Sequence, residues 1–189
     1  MTDFLKTEIL VTAPPRSSLG ELEIGGRRYP CALGRTGLAD PKCEGDGGTP
    51  VGRFALRELR YRPDRLTAPA TALPLIPISP GDGWCDAPDD PAYNRPVRLP
   101  YAASAEVMWR ADHLYDLVVV LGQNDNPVVP GAGSAIFFHL ARETYGILQP
   151  TEGCVALRPN DMYEVLAACG PGSEIRIEHR ENPLAARPK

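Results

Sequence analysis

Proline and glycine are spread along the whole chain, and together they limit what it can fold into. The sequence has 21 prolines and 18 glycines in 189 residues, and both residues exceed their ordinary usage of about 5% and about 7%. Proline interrupts helices and cannot donate a hydrogen bond in a strand, and glycine favours turns. The composition therefore predicts a mostly β fold with many turns and short strands rather than long helices.

Size and charge narrow the classes of function. A chain of 189 residues is long enough for one domain with a sizeable core. Its net charge is -4 and its sequence pI is about 5.4, and no basic run appears. We therefore expect neither nucleic acid nor an anionic membrane surface as a partner.

The sequence shows no pattern for membrane insertion or export. No apolar stretch is long enough to span a bilayer. The first residues, MTDFLKTEILVTA, also lack the uncharged core of a secretory signal, because Lys6 and Glu8 interrupt the apolar residues. Either a signal was removed from this sequence or the chain has none.

Seven segments have the apolar pattern of β-structure. Alternation is typical of a half-buried strand, whereas a continuous apolar run favours a strand buried on both faces. The run at residues 116–121 is of the second kind, and prolines confine the segment at residues 73–79 to a sheet edge. The predicted strands are residues 8–12, residues 21–33 as a hairpin that turns at Gly25 and Gly26, and residues 53–61, 73–79, 116–121, 134–138 and 174–178.

One segment, residues 160–169, has the pattern of a helix. Pro159 precedes it and Gly170 follows it, as is common at helix ends. Four apolar residues at positions i, i+3, i+4 and i+7 predict one buried face. They are Met162, Val165, Leu166 and Cys169.

Two longer segments lack clear periodicity. Residues 34–50 are a glycine-rich connection without the Gly-Lys-Ser/Thr ending of a phosphate-binding loop, which disfavours a nucleotide site. Residues 80–112 are dense in proline, aspartate and glycine, and they also contain aromatic residues and arginines. They predict either an ordered lid or a solvated loop that a few aromatics pin to the sheet. Their carboxylates are more typical of turns than of a metal site.

The chemistry is concentrated in residues 134–157, SAIFFHLARETYGILQPTEGCVAL. His139 ends an apolar run, and Cys154 follows in a Thr-Glu-Gly-Cys turn with fourteen residues between the two. A thiol is little ionised near neutral pH, so a nucleophilic cysteine needs a neighbouring imidazole or a positive dipole. Gly153 lets the backbone approach a substrate closely, and the amides around it are suited to an oxyanion. We predict Cys154, with a lowered pKa, as the nucleophile, His139 as its base and Gly153 as part of the oxyanion hole.

The four other cysteines are open to two interpretations. They are compatible with free thiols or with up to two disulfide bridges. No C-x-x-C spacing indicates a zinc site. These residues are Cys31, Cys43, Cys85 and Cys169.

At the histidine and cysteine the sequence resembles the L,D-transpeptidases with the YkuD-type catalytic domain. The motif of that family is a histidine, a spacer and Ser/Thr-x-Gly-Cys, which stands here as His139 and residues 151–154. Residues 42–50, KCEGDGGTP, and residues 52–54 are also similar. The likeness covers about residues 28–178.

The sequence departs from the family pattern at two positions beside the cysteine. Glu152 stands where many members have histidine, and Ala156 stands where many have arginine. Because the donor stem peptides of the family carry carboxylates, we expect another positive group to bind them. The predicted substrate-binding residues are Arg53, Arg95, Arg110, Arg158 and Thr151.

The resemblance implies a mostly β, YkuD-type β-sandwich-like fold with one flanking helix. In this interpretation residues 1–27 form the N-terminal strand and the start of the hairpin. Residues 28–178 form the catalytic domain, with a long irregular lid-like insertion at residues 80–112. Residues 179–189 form a flexible tail.

The resemblance also implies peptidoglycan cross-linking. Cys154 would form a thioester with one stem peptide, and an amine of a second stem peptide would open it. Peptidoglycan stem peptides are then the partners, carbapenem β-lactams the inhibitors and the periplasm the compartment, with no cofactor or metal. Two alternatives stay open: an L,D-carboxypeptidase or amidase in which water opens the thioester, and a cell-wall-binding module without catalysis.

Overall fold

The computed structural model describes residues 7–180, and short strands make up most of their regular structure. The first ten strands are β1 (Glu8–Ala13), β2 (Leu19–Ile24), β3 (Arg27–Ala32), β4 (Leu38–Ala39), β5 (Thr49–Pro50), β6 (Gly52–Tyr61), β7 (Leu75–Pro77), β8 (Asp82–Cys85), β9 (Pro96–Arg98) and β10 (Ala105–Val107). The remaining elements are β11 (Leu117–Leu121), β12 (Phe137–Leu140), β13 (Glu143–Thr144), β14 (Ile147–Leu148), β15 (Val155–Leu157), the helix α1 (Pro159–Ala167) and β16 (Glu174–His179).

Nine strands form the main sheet, in the order β11-β12-β15-β3-β2-β1-β16-β6-β7. The ten residues of β6 make this sheet close on itself, because the first part of β6 pairs with β16 and the second part pairs with β11. The sandwich-like enclosure that results surrounds the largest apolar core. The hairpin of β2 and β3 and the edge position of β7 confirm the predictions for those segments.

Strand β11 is buried on both faces, as its continuous apolar run predicted. Val119 belongs to the enclosed core, whereas Val118 and Val120 belong to a second apolar cluster on the outer face of the sheet. Trp84 and Met108 of the insertion belong to that second cluster. The insertion therefore shields the outer face of β11 from water.

Residues 80–112 form an ordered layer on this outer face. They contain a small sheet in the order β10-β8-β9, which the sequence pattern did not predict. These strands have only three or four residues, too few to show an alternation. The Trp84 ring meets the Phe137 ring edge-on at 5.2 Å between centroids, so the insertion packs directly on β12.

Strand β12 begins later than the sequence predicted. Residues 134–136 are not part of it, because Ala135 has a φ of +51° and interrupts the extended chain. His139 consequently lies inside the strand and not at its end. Side chains alternate along a strand, so His139 shares the outer face with Phe137, while Phe138 faces the enclosed core.

The helix α1 packs its apolar stripe against the enclosed core. Met162, Val165 and Leu166 are all fully buried, which confirms the predicted face. The helix ends at Ala167, two residues earlier than predicted, and Cys169 is buried just beyond its end. With nine residues, this one helix of residues 7–180 is too short to cross a bilayer.

Strand β16 runs to His179, one residue beyond the predicted strand, and residues 1–6 and 181–189 lie outside the described residues. The tail prediction therefore falls almost wholly outside them.

All five cysteines are free thiols, so the disulfide interpretation is wrong. Within residues 7–180 no three His, Cys, Asp or Glu side chains group as metal ligands would.

We expect Leu166→Ala to lower the free energy of unfolding by about 2–5 kcal/mol, because it leaves a cavity in the enclosed core. Urea denaturation followed by circular dichroism measures the loss. Tyr163 is 39% exposed on the other side of the helix, so Tyr163→Ala serves as the control and should change the value by at most about 0.5 kcal/mol. Equal losses in the two variants would contradict the packing of α1 described above.

Candidate active site

A cavity of about 360 Å³ lies between the sheet and the insertion, and three separate parts of the chain line it. His139 and Cys154 come from the stretch that the sequence singled out. Lys42 comes from the glycine-rich loop, and Glu106 and Arg110 both come from the insertion. The fold therefore brings the predicted nucleophile and base to one wall and adds charged groups from distant segments.

Parallel pairing of β12 with β15 sets the distance between His139 and Cys154. His139 lies opposite Ala156, and Cys154 stands two residues before Ala156. Neighbouring strands are about 4.8 Å apart and rise about 3.3 Å per residue, which places the two Cα atoms about 8 Å apart. Since both side chains line the same cavity, the long spacer in the sequence becomes a short distance in space.

The Cys154 thiol is held by backbone groups at the start of β12 and just before it. Its Sγ accepts a hydrogen bond from the Phe137 amide at 3.3 Å and donates to the Ala135 carbonyl at 3.4 Å. Burial raises the pKa of this thiol to about 12, and the nearby Glu106 carboxylate raises it as well. The thiol of the free protein is therefore protonated, and the prediction of a lowered pKa is wrong for this state.

His139 is buried and neutral. Burial lowers its pKa to about 4, and only 5% of the residue is exposed. Its Nδ1 lies 2.8 Å from the Leu140 carbonyl oxygen. A carbonyl oxygen can only accept, so Nδ1 carries the hydrogen and Nε2 keeps the lone pair that can take a proton. The Tyr115 ring meets the imidazole edge-on at 5.2 Å between centroids and limits its movement.

The turn before Cys154 requires glycine at position 153. Gly153 has a φ of +140°, and a Cβ there would lie 2.9 Å from the Gly48 carbonyl oxygen. Thr151 closes the turn, because its hydroxyl donates to the Cys154 carbonyl at 2.7 Å and accepts from the Gly153 amide at 3.2 Å. The Thr49 hydroxyl also donates to the Cys154 carbonyl, at 3.4 Å. The glycine-rich loop thus supports the turn from behind.

Lys42 is the buried cation of the site. Its side chain is only 7% exposed, and its Nζ lies 2.5 Å from Asp46 Oδ1 and 2.8 Å from the Cys43 carbonyl. The charge of Lys42 lowers the pKa of Cys154 and so opposes part of the effect of burial. The similarity of residues 42–50 to the family pointed to this segment, but nothing in the sequence singled out Lys42 itself.

A network of charged groups from the insertion lines the opposite wall. The Tyr115 hydroxyl donates to Glu106 Oε1, and burial raises the pKa of Glu106. Arg110 binds Asp112 through two hydrogen bonds of 2.8 Å and holds the pKa of Asp112 down to about 2. The sequence pattern did not identify Glu106 or Tyr115, since only the fold brings them to the cysteine.

The predicted substrate-binding residues are split between the cavity and the rest of the surface. Arg110 and Thr151 line the cavity. Arg53 pairs with Glu8 and Glu174, Arg95 donates to the Asp125 carbonyl and Arg158 pairs with Glu143. These last three arginines do not line the cavity.

Arg142 lines the cavity, although the sequence did not predict it. Its side chain is 59% exposed, and its guanidinium lies 3.6 Å from Asp112 Oδ2. It occurs three residues after His139, within the stretch that carries the chemistry. That position was the signal by which the sequence could have pointed to Arg142.

The sequence also matches a protein-family model. The family model of the L,D-transpeptidase catalytic domain, YkuD, matches residues 9–177. The chain belongs to this family. A comparison with curated protein sequences gives no match.

Two solved structures are similar to the chain at low sequence identity. An L,D-transpeptidase from Mycobacterium smegmatis has 15% identity and a TM-score of 0.42, and the match covers 91% of this chain and 59% of that chain. L,D-transpeptidase 1 from Mycobacterium tuberculosis has 12% identity and a TM-score of 0.37, with coverage of 90% and 62%. This chain therefore spans less than two thirds of either of those proteins.

We expect alkylation of Cys154 by iodoacetamide to be slow at pH 7 and to rise about tenfold per pH unit from pH 7 to pH 10. A thiol with a pKa of about 12 is protonated over that whole range, and only the thiolate reacts. The assay uses a Cys43→Ser background, because Cys43 is the one exposed cysteine of the five. Intact-mass measurement gives the rates. A plateau between pH 6 and pH 9 would instead indicate a stable ion pair with His139.

Proposed function

We propose that the chain is a peptidoglycan L,D-transpeptidase that forms cross-links through a thioester on Cys154. The observation that carries the proposal is the placement of His139 and Cys154 on one cavity wall, in a chain whose family has this activity. Substrates are peptidoglycan stem peptides, and the working compartment is the periplasm, where such peptides occur. All steps use groups of the protein itself.

Acylation begins when a stem-peptide carbonyl enters the cavity beside Cys154. The thiol proton passes to Nε2 of His139 while Sγ attacks the carbonyl carbon. The protonated His139 then returns this proton to the leaving amine as the amide C–N bond breaks. The C-terminal part of the stem peptide departs, and the thioester remains on Cys154.

Transfer repeats these steps in reverse. The amine of a second stem peptide attacks the thioester carbon and gives one proton to His139. The C–S bond breaks, a new amide forms and the thiolate of Cys154 takes the proton back. The backbone amides of Gly153 and Cys154 are the proposed donors to the oxyanion in both halves, and such a donor is worth about 3–4 kcal/mol.

Burial keeps the reacting pair neutral until a substrate binds. Cys154 is 8% exposed and His139 is 5% exposed, so little water solvates either side chain. Both groups are neutral at rest, and charge separates only when a substrate fills the cavity. The Lys42 charge and the Phe137 amide then favour the thiolate, because both lower the pKa of Cys154.

Arg142 is the best candidate for the positive group that replaces the missing arginine at Ala156. Arg110 is already held by two hydrogen bonds to Asp112, whereas Arg142 has its nearest carboxylate at 3.6 Å and a largely exposed side chain. It also lines the cavity. We therefore assign the donor carboxylate to Arg142, with Arg110 and Asp112 setting its position.

Incubation of the protein with disaccharide tetrapeptides should give cross-linked dimers, which mass spectrometry of the products detects. Cys154→Ala and His139→Gln should each lower dimer formation by about 1,000-fold or more, because nucleophile and base act as one unit. Cys43→Ser is the control and should retain wild-type activity. Intact mass should also show a carbapenem adduct in wild type and none in Cys154→Ala.

The products also separate the alternatives. Shortened stem peptides without dimers would identify an L,D-carboxypeptidase or amidase. Dimer formation or a carbapenem adduct in Cys154→Ala at the wild-type rate would contradict the thioester mechanism. Binding to peptidoglycan without any turnover would identify a non-catalytic module.

Arg142→Ala should lower kcat/KM for the tetrapeptide by about 10- to 100-fold, the usual effect of removing one charged hydrogen bond. Alkylation of Cys154 by iodoacetamide, a neutral reagent, should stay within about twofold of wild type. The control is Arg158→Ala, since Arg158 pairs with Glu143 outside the cavity, and it should turn over peptide normally. Equal turnover by the two variants would remove Arg142 from the donor site.

A further inference from the structure

Asn94 is the buried polar side chain that links the insertion to the backbone beside the nucleophile. Its Oδ1 accepts hydrogen bonds from Trp84 Nε1 at 3.0 Å and from the Ala135 amide at 3.1 Å. Its Nδ2 donates to the carbonyls of Gln123 at 3.0 Å and Asn124 at 2.8 Å. All four hydrogen-bonding positions of the amide are used, and the residue is only 4% exposed.

The amide that donates to Asn94 Oδ1 belongs to Ala135, whose backbone conformation is unfavourable. Ala135 has a φ of +51°, a region that residues other than glycine rarely adopt. Surrounding contacts must therefore hold it there, and its own N–H is bound by Asn94. The carbonyl of the same residue accepts the hydrogen bond of the Cys154 thiol.

The second partner of the thiol has a different support. The Phe137 amide, which donates to Sγ, belongs to β12 and is held by pairing with β11 and β15. Loss of the Asn94 side chain should therefore release the Ala135 carbonyl, which accepts the thiol hydrogen. The Phe137 amide, which donates to the sulfur, should stay in place.

We propose that Asn94 is a positioning residue. It holds the Ala135 carbonyl against Cys154, so that the thiol of the free protein rests protonated with its hydrogen directed to that carbonyl and not to His139. The inference rests on the proposed function only in taking Cys154 as the nucleophile. Its consequence is a nucleophile that stays unreactive until a substrate displaces the thiol from this contact.

The ionisable groups that line the cavity with the thiol come from four regions of the chain. Lys42 and Glu44 belong to the glycine-rich loop, Asp86, Glu106 and Arg110 to the insertion, Tyr115 to the segment before β11, and His139, Arg142 and Glu152 to residues 134–157. None of these groups hydrogen-bonds Asn94, whose four side-chain bonds go to other residues. A substitution of Asn94 therefore changes the Ala135 contact while these charges stay in place.

The test is the pH profile of iodoacetamide alkylation of Cys154 in the Cys43→Ser background. Asn94→Leu should move the profile to lower pH by one unit or more, which is about a tenfold faster reaction at pH 8. The reason is that the protonated thiol loses its acceptor, the Ala135 carbonyl, while the thiolate keeps its donor, the Phe137 amide. The balance between the two forms therefore shifts toward the thiolate. If Asn94→Leu does not fold, Asn94→Ala replaces it, because the space that alanine leaves can hold water.

Three controls separate positioning from a general loss of stability. Ser173→Ala removes a buried hydrogen bond of 2.9 Å to the Gly170 amide, away from the site, and should leave the profile unchanged. Trp84→Phe removes the other bond to Asn94 Oδ1 and should also leave it unchanged. Asn94→Asp keeps an acceptor for Ala135, so its profile should not move to lower pH.

The alkylation assay needs no peptide substrate, so it stands apart from the test of cross-linking. A protein that alkylates as described but forms no dimers would contradict the proposed function alone. An unchanged or upward-shifted profile in folded Asn94→Leu or Asn94→Ala would overturn the role of Asn94. So would a downward shift of the same size in Ser173→Ala.

Discussion

The parallel pairing of β12 with β15 is the constraint on which the site depends. Parallel strands cannot be joined by a tight turn, so the chain between His139 and Cys154 leaves the sheet, forms the small hairpin of β13 and β14 and returns beside β12. The register then places both side chains on the outer face of the sheet. Every other part of the site, including the glycine-rich loop and the insertion, packs against this pair of strands.

Covering the outer face gives the site its electrostatic character. The insertion buries Phe137, Val118 and Val120 in a second apolar cluster, to which Cys154 also belongs. Because a charged thiolate and a charged imidazole are both costly in such surroundings, the thiol and His139 are neutral together. The same covering explains why the Cys154 thiol of the free protein rests protonated, since burial raises its pKa.

The polar groups around the thiol show how such a buried site stays ordered. Asn94 satisfies all its hydrogen bonds between the insertion and the chain that leads into β12. Glu44 accepts hydrogen bonds from Tyr93 and Ser134 and ties the glycine-rich loop to the same two segments. Fully satisfied polar groups of this kind make an irregular backbone rigid, which a site built from three separate parts of the chain requires.

Local patterns in the sequence determined the strand-rich fold, the helix with its buried stripe, the double burial of β11 and the choice of His139 and Cys154 as candidate site residues. Each of these depends on residues close together in the chain or on a short motif. The tertiary structure decided the late start of β12 after Ala135, the meeting of Lys42, Glu106 and Arg142 at one cavity, and the raised pKa of Cys154. These features depend on which distant segments meet and how much water they exclude, and a linear pattern carries neither quantity.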